Sequence, residues 1–187
     1  MNNHKKLIII TGPSGVGKGT IVKTLLKKDK NIWLSISATT RKPRKGEEDG
    51  KDYYFLTTKK FKEMINNEMF LEWAEFAGNF YGTPINNINE KIKDGNKVIL
   101  EIEVEGACQV REKFPEIISI FLLPPNKQEL EKRIRNRGTD DEKSIIKRLE
   151  RADFEISSSK DFDYVLNNYE IDKTADEILK IISKEIL

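Results

Sequence analysis

The run GPSGVGKGT at residues 12–20, entered directly from Leu7, Ile8, Ile9 and Ile10, constrains this chain more than any other feature. Four apolar residues read as a buried strand, and Ile21, Val22, Leu25 and Leu26 recur at helical spacing behind the glycines. A strand, a glycine-rich turn and a helix in that order aim backbone N–H groups and the positive end of a helix dipole at one spot. The chemistry of that spot is phosphate binding. Gly12, Gly15 and Gly17 suit the turn because a Cβ would block unusual backbone angles or the close approach of an anion. Pro13, Ser14 and Val16 fill the places between them, and Lys18 adds a mobile cation able to follow the outer phosphate oxygens. The spacing alone is a weak pattern; the strand before it and the helix after it give it force.

The general pattern asks for Ser or Thr directly after the lysine, as a ligand for Mg²⁺, but this chain has Gly19 and then Thr20. The KGT ending looks like the P-loop of nucleoside monophosphate kinases more than that of switch GTPases or motor ATPases. Without the hydroxyl, Mg²⁺ is expected to be held largely by substrate oxygens and water. No residue is assigned as a metal ligand, and Thr20 is the one candidate.

The chain has 187 residues, 37% apolar and 34% charged, and no apolar stretch near the ~20 residues a membrane helix requires. One compact body is expected. Lys5 and Lys6 precede too short an apolar run for a secretory signal, which predicts cytoplasmic residence. Cys108 is the only cysteine and His4 the only histidine, so no internal disulfide and no histidine-based catalysis are expected. Beside Ala107 and Val110, Cys108 reads as a packing thiol. A net charge of +2 gives no ground for a nucleic-acid partner.

Arginine is rationed. Of eight arginines, Arg41 and Arg44 form one window and Arg133, Arg135, Arg137, Arg148 and Arg151 a second, while lysine supplies the general surface. The guanidinium fork binds phosphate bidentately and never loses its charge, so two clusters suggest two anion-handling sites beside the glycine loop. Ordinary surface ion pairs are the alternative reading.

Three sections follow along the chain. A strand over 7–11 and a helix over 18–28 open it. From about Leu34 to Thr83 alternation and turn residues predict an inserted sheet with one short helix near Lys59–Asn67. An α/β rhythm then returns, with a helix over 86–93, a strand over 97–102, a helix over 106–113 and a strand over 117–123. The continuous apolar runs are those of a parallel sheet covered on both faces. Beyond Pro124 and Pro125, a helix from Lys127 to Gly138 and a second reaching Ser157, capped by Thr139, Asp140 and Glu142, carry the second arginine cluster. Arg133 and Arg137 are four apart, Arg148 and Arg151 three apart, so each helix presents two cations on one face. A strand at Val165–Leu166 and an amphipathic helix from Asp172 to Ile186 close the chain.

Together, SISATTRKPRKGEEDGKDYYF, FLEWAEFAGNFYGT, VILEIEVEGA and RGTDDEKSIIKRL resemble the guanylate kinase family across the whole chain. The resemblance implies an α/β fold with a P-loop nucleoside triphosphate hydrolase-type core around a parallel sheet, an inserted mainly β GMP-binding domain and a helical lid. It sets the core at 1–33, 84–125 and 158–187, the GMP-binding domain at 34–83 and the lid at 126–157. It implies transfer of the γ-phosphoryl group of ATP to GMP or dGMP, with Mg²⁺. ATP falls to Gly12, Pro13, Ser14, Gly15, Val16, Gly17, Lys18, Gly19 and Thr20. GMP falls to Ser37, Arg41, Arg44, Tyr53, Glu72, Tyr81, Thr83 and Glu103, and the catalytic charges to Lys18, Arg41 and the lid residues Arg133, Arg137 and Arg148. Small-molecule substrates are the expected partners, with no nucleic acid, no membrane and monomer the favoured state.

The residues support these assignments on their own terms. Two forks and two phenols (Arg41, Arg44, Tyr53, Tyr81) make a sensible cage for a monophosphate dianion. Glu72, among Phe70, Leu71, Trp73 and Phe76, is a carboxylate in need of a partner, and guanine offers two adjacent donors. Glu101, Glu103 and Glu105 alternate along a strand end of the kind where open α/β sheets bind ligands. The family usually has Asp at the position of Glu103 and Gln at that of Glu105. Two other readings remain: a kinase for another nucleoside monophosphate, and a noncatalytic guanylate-kinase-like interaction domain.

Overall fold

Along the chain run β1 (Leu7–Thr11), α1 (Lys18–Lys28), β2 (Ile32–Leu34), β3 (Ala38–Thr39), β4 (Tyr54–Phe55), α2 (Thr58–Asn66), β5 (Phe70–Phe76), β6 (Asn79–Pro84), α3 (Asn86–Lys93), β7 (Lys97–Glu101), α4 (Val104–Lys113), β8 (Ile118–Leu123), α5 (Lys127–Arg135), α6 (Glu142–Ser157), β9 (Tyr164–Asn167) and α7 (Ile171–Ile186). The computed structural model describes residues 6–76, 78–136 and 142–186, without the side chain of Phe76. His4, Arg137, Gly138, Thr139 and Asp140 therefore lie outside the described residues.

A parallel sheet of order β2-β7-β1-β8-β9 carries the molecule. The apolar run that opens the chain is its centre, with Ile8, Ile9 and Ile10 fully buried. Successive side chains of a strand point to opposite faces. Ile8 and Ile10 accordingly pack with Ile21, Leu25, Ile178 and Ile182 of α1 and α7. Leu7 and Ile9 pack with Ile88, Ile92, Ala107 and Val110 of α3 and α4. Each such side chain contributes roughly 1.5–3 kcal/mol by leaving water. This is the α/β core with both sheet faces covered that continuous apolar strands imply.

The second sheet, of order β4-β3-β6-β5, is mostly antiparallel and lies in sequence between β2 and α3. Its small core stacks Phe61 of α2 on Phe70, ring centroids 4.4 Å apart. A third cluster, Leu130, Ile134, Ile145 and Ala152, joins α5 to α6 independently of the main core.

Three expectations change. Leu34 pairs with Ile99 in the core sheet, so the turn into the second sheet comes after it; a three-residue strand is too short to show a period. The strand at 97–102 stops at Glu101, which pairs with Ile10; beyond it the Thr11 hydroxyl, rather than a ladder bond, meets the Ile102 carbonyl. Consequently Glu103 and Glu105 do not alternate on a strand: Glu103 is the N-cap of α4 and Glu105 lies in its first turn. A negative charge is favourable at that end of a helix.

Candidate active site

β1 ends in the glycine loop, and Thr11 Oγ1 donates to the carbonyl of Ile102 at 2.8 Å, tying the carboxyl ends of β1 and β7 together. Gly12, at φ +145°, has no room for a Cβ, which would collide with the carbonyl oxygen of Leu122 in β8. Gly17 is left-handed at φ 105° and caps α1 with no side chain, which leaves the first turn of the helix open to an anion. Lys18, only 9% exposed, donates from Nζ to the Gly12 carbonyl at 2.5 Å and stands 3.7 Å from Glu103 Oε2.

A cleft of ≈ 430 Å³ opens in front of this loop. Pro13, Ser14, Gly15, Gly17, Lys18, Gly19 and Thr20 form one wall, and Ser37, Arg41, Arg44, Tyr53, Glu72 and Tyr81 the wall opposite. Glu101, Glu103 and Glu105 lie between them. Arg148 of α6 also lines the cleft, its Nη1 donating to Ser14 Oγ at 2.9 Å. Gly12 and Val16 lie behind the loop and not in the cleft; Val16 is fully buried in the main core. Arg133 also reaches the loop from behind, donating from Nη1 to the Val16 carbonyl at 3.1 Å and from Nε to Glu129 at 2.9 Å. Arg135 faces elsewhere, in exposed ion pairs with Glu131 of its own helix and with Glu142, the second of which links α5 to α6.

On the wall opposite the loop, Arg41 stacks over Tyr53 at 5.4 Å, and Tyr53 meets Tyr81 edge-on at 6.2 Å. Burial pushes the Tyr53 phenol up to about 12, so it is a neutral hydrogen-bond donor. Glu47 was not singled out in the sequence, yet it clamps both terminal nitrogens of Arg41 at 2.9 Å and accepts the Arg44 N–H at 2.6 Å. Its bond to Arg41 holds the carboxyl below the usual range. A six-residue separation inside a loop gives no periodic signal. Asn168 was missed for the same reason: it follows β9, far along the chain, and its Nδ2 donates to the Val16 carbonyl at 2.8 Å.

Glu72 is 5% exposed. A register shift between Phe70 and Glu72 breaks the alternation of β5, so Phe70, Leu71 and Glu72 are all buried in succession. Thr83 Oγ1 donates to Glu72 Oε1 at 2.6 Å, and Oε2 occupies the space a Cβ of Gly106 would take. Burial pushes the Glu72 carboxyl up to about 7, against the pull of Thr83 and Lys113. Such a group, buried at a cleft with one oxygen already satisfied, is poised to accept hydrogen bonds from a ligand. Cys108 is half-buried with its thiol pushed up by burial, as suits a packing residue.

The guanylate kinase family model matches residues 4–185. A protein named guanylate kinase from Prochlorococcus marinus strain MIT 9312 is 66% identical over 97% of this chain and 99% of its own length. A namesake from Synechocystis is 50% identical over 96% of this chain and 94% of its own. The crystal structure of guanylate kinase from Anaplasma phagocytophilum superposes with a TM-score of 0.79 at 37% identity, covering 97% of this chain and 86% of that one. With a family match over nearly its full length and one cleft lined by the glycine loop together with Arg41, Arg44, Tyr53 and Tyr81, the chain belongs to the guanylate kinase family.

Proposed function

We propose that this protein transfers the γ-phosphoryl group of ATP to GMP, giving ADP and GDP. The observation that carries the reading is the single cleft in which Lys18 and the glycine loop face Arg41, Arg44, Tyr53 and Tyr81. Two phosphate-binding walls in one space suit a donor and an acceptor better than a single nucleotide. On this reading residues 34–83 hold GMP, residues 126–157 are a lid, and the loop at 12–20 holds ATP. The separate core shared by α5 and α6 supports the lid assignment, since a unit packed on itself can move as one body.

The reaction needs little from the protein beyond alignment and charge. An oxygen of the GMP phosphate attacks the γ-phosphorus, the bond to the β-phosphate oxygen breaks, and no proton must be removed from the nucleophile. Lys18 and Arg148 offset the charge that spreads over the group in flight, while Arg41 and Arg44 hold the acceptor in line. Closure of the lid excludes water, which otherwise competes as acceptor. Among the described residues no helix is long and apolar enough to cross a membrane, and we read the protein as a cytoplasmic enzyme acting on free nucleotides.

Mg²⁺ fits the donor chemistry of the cleft. Among the described residues no cluster of three or more metal-binding side chains is assembled. Glu101 and Glu103 beside Gly19 and Lys18, with Thr20 one residue on, supply the few hard oxygens that Mg²⁺ takes alongside phosphates and water. When bound, the ion neutralises phosphate charge.

ATP consumption that depends on added GMP and yields ADP and GDP in equal amounts is the expected result with purified protein. ATP turnover with AMP or CMP in place of GMP would favour another monophosphate kinase, and none with any acceptor a noncatalytic domain.

The Glu72 carboxyl makes GMP binding pH-dependent. Its value in the folded protein stands above the ordinary 4.5, so its contribution to stability is present at low pH and lost as pH rises through about 7. Guanine binds the ionised form, so the effect on binding has the opposite sign. KM for GMP is expected to be flat above about pH 7 and to rise by up to about tenfold per unit below it. Ionisation of the GMP phosphate near pH ~6 affects wild type and Glu72→Gln alike, so the part of the rise that disappears in the variant belongs to Glu72. Initial rates over about pH 5.5 to 8.5 measure it, and identical profiles in both proteins would remove Glu72 from the titration.

A further inference from the structure

Arg151 follows Arg148 by one turn of α6, about 4.5 Å further along the helix. Arg148 serves the loop wall of the cleft through Ser14, whereas Arg151 reaches the strip between the walls, with Nη2 4.0 Å from Glu105 Oε2. Both line the cleft, as do Lys18 and Glu103. The guanidinium is also held in place. Its Nε donates to Glu155 Oε1 at 2.9 Å, and Glu155, four residues on, is only 4% exposed.

That burial separates the pair from an ordinary helix-surface ion pair. A carboxylate taken out of water on a lid helix is costly unless its partner stays with it. Burial raises the Glu155 carboxyl and Arg151 opposes the rise, while Glu103 and Lys18 of the cleft also act on it. Glu155 therefore fixes the Nε edge of Arg151 and directs its terminal nitrogens toward the cleft. The strip they face carries the carboxylates of Glu103 and Glu105. An anionic phosphoryl group crossing from the loop wall to the arginine–tyrosine wall passes that negative strip, where a fixed cation is worth most.

We propose that Arg151 is a further catalytic residue, binding the phosphoryl group in transit between donor and acceptor, and that Glu155 is its positioning residue. The inference rests on the phosphotransferase reading above. In the step concerned, a GMP phosphate oxygen forms a bond to the γ-phosphorus as the bond to the ADP oxygen breaks and its electron pair leaves with ADP. Arg151 gives and takes no proton; it donates hydrogen bonds to the oxygens of the moving group.

Arg151→Gln alone would strand the buried Glu155 charge, so the main test uses the double variant Arg151→Gln with Glu155→Gln, in which two amides replace the ion pair. The probes are GMP alone, ADP alone, and adenosine and guanosine joined 5′ to 5′ by a pentaphosphate, whose central phosphates occupy the transfer path. The double variant is expected to hold GMP and ADP singly within about twofold of wild type, to lose about 30-fold in affinity for the joined probe, and to lose about 10²-fold in kcat. Glu155→Gln alone is expected to lower kcat about fivefold, and to add nothing once Arg151 is Gln. Affinity for the joined probe and kcat both within about threefold of wild type in the double variant would overturn the proposal. So would an equal loss for GMP or ADP alone, which marks a general effect on the lid. Failure of the wild-type chain to turn over ATP with GMP sinks the phosphotransferase reading itself, and is seen before any variant is made.

Discussion

Lys18→Ala is expected to lower kcat by about 10²- to 10³-fold while leaving the fold in place. The lysine is buried at the start of α1, and on the proposed phosphotransferase reading its charge counts most when negative charge spreads in the transition state. Its contribution to stability is small by comparison. The pair it makes with Glu103 is 3.7 Å long and Glu103 is half exposed, which places it among pairs worth about 0–1 kcal/mol. In a chain of this length that amounts to a melting shift of at most about 2–4 °C. Kinetics and a thermal melt of the same preparation therefore separate the two roles. Near-normal kcat in a folded Lys18→Ala protein would remove the glycine loop from the donor site.

Much of this architecture is legible in the sequence because its signals are local. Leu7–Ile10 form a run that only a strand covered on both faces tolerates, and the glycines behind them leave few backbone paths. Helix α3 occupies the residues its spacing predicts, and α7 starts one residue before its predicted Asp172. What escapes is what depends on distant partners. The three residues of β2 are a strand only because β7 lies alongside. Glu103 and Glu105 read as strand positions by their alternation, yet the pairing with β1 ends at Glu101 and the backbone enters α4 from Glu103, its N-cap. Nothing local marks Glu47 as the clamp on Arg41, or Asn168 as a support under the loop. Glu72 stood out in the sequence as a carboxylate among apolar neighbours, but the register shift that buries it with both Phe70 and Leu71 is a property of the pairing with β6.

Glu72 also carries the largest expected selectivity. An ionised carboxylate accepts from both the ring N1–H and the exocyclic amine of guanine. Adenine turns an acceptor nitrogen toward it and has no amine at the neighbouring carbon, so a desolvated charge would be left unpaired. Sites built to hydrogen-bond a substrate reject the analogue that lacks the groups by about 10⁴-fold or more. GMP and dGMP are therefore expected to be good acceptors and AMP, CMP and UMP poor ones. In Glu72→Gln the amide accepts only one of the two guanine bonds and turns a donor toward the other, so the preference should shrink by about 10²-fold. The fold should tolerate the change, because Gln keeps the volume and an oxygen for the Thr83 hydroxyl, and no buried charge remains to be satisfied.

The most direct measurement is kcat/KM for GMP against AMP, with ATP as donor, in the wild-type protein and in Glu72→Gln. A wild-type ratio of about 10⁴ or more that falls in the variant is the expected result. Comparable wild-type values for the two acceptors would contradict the guanine assignment, and an unchanged ratio in the variant would take Glu72 out of the base site.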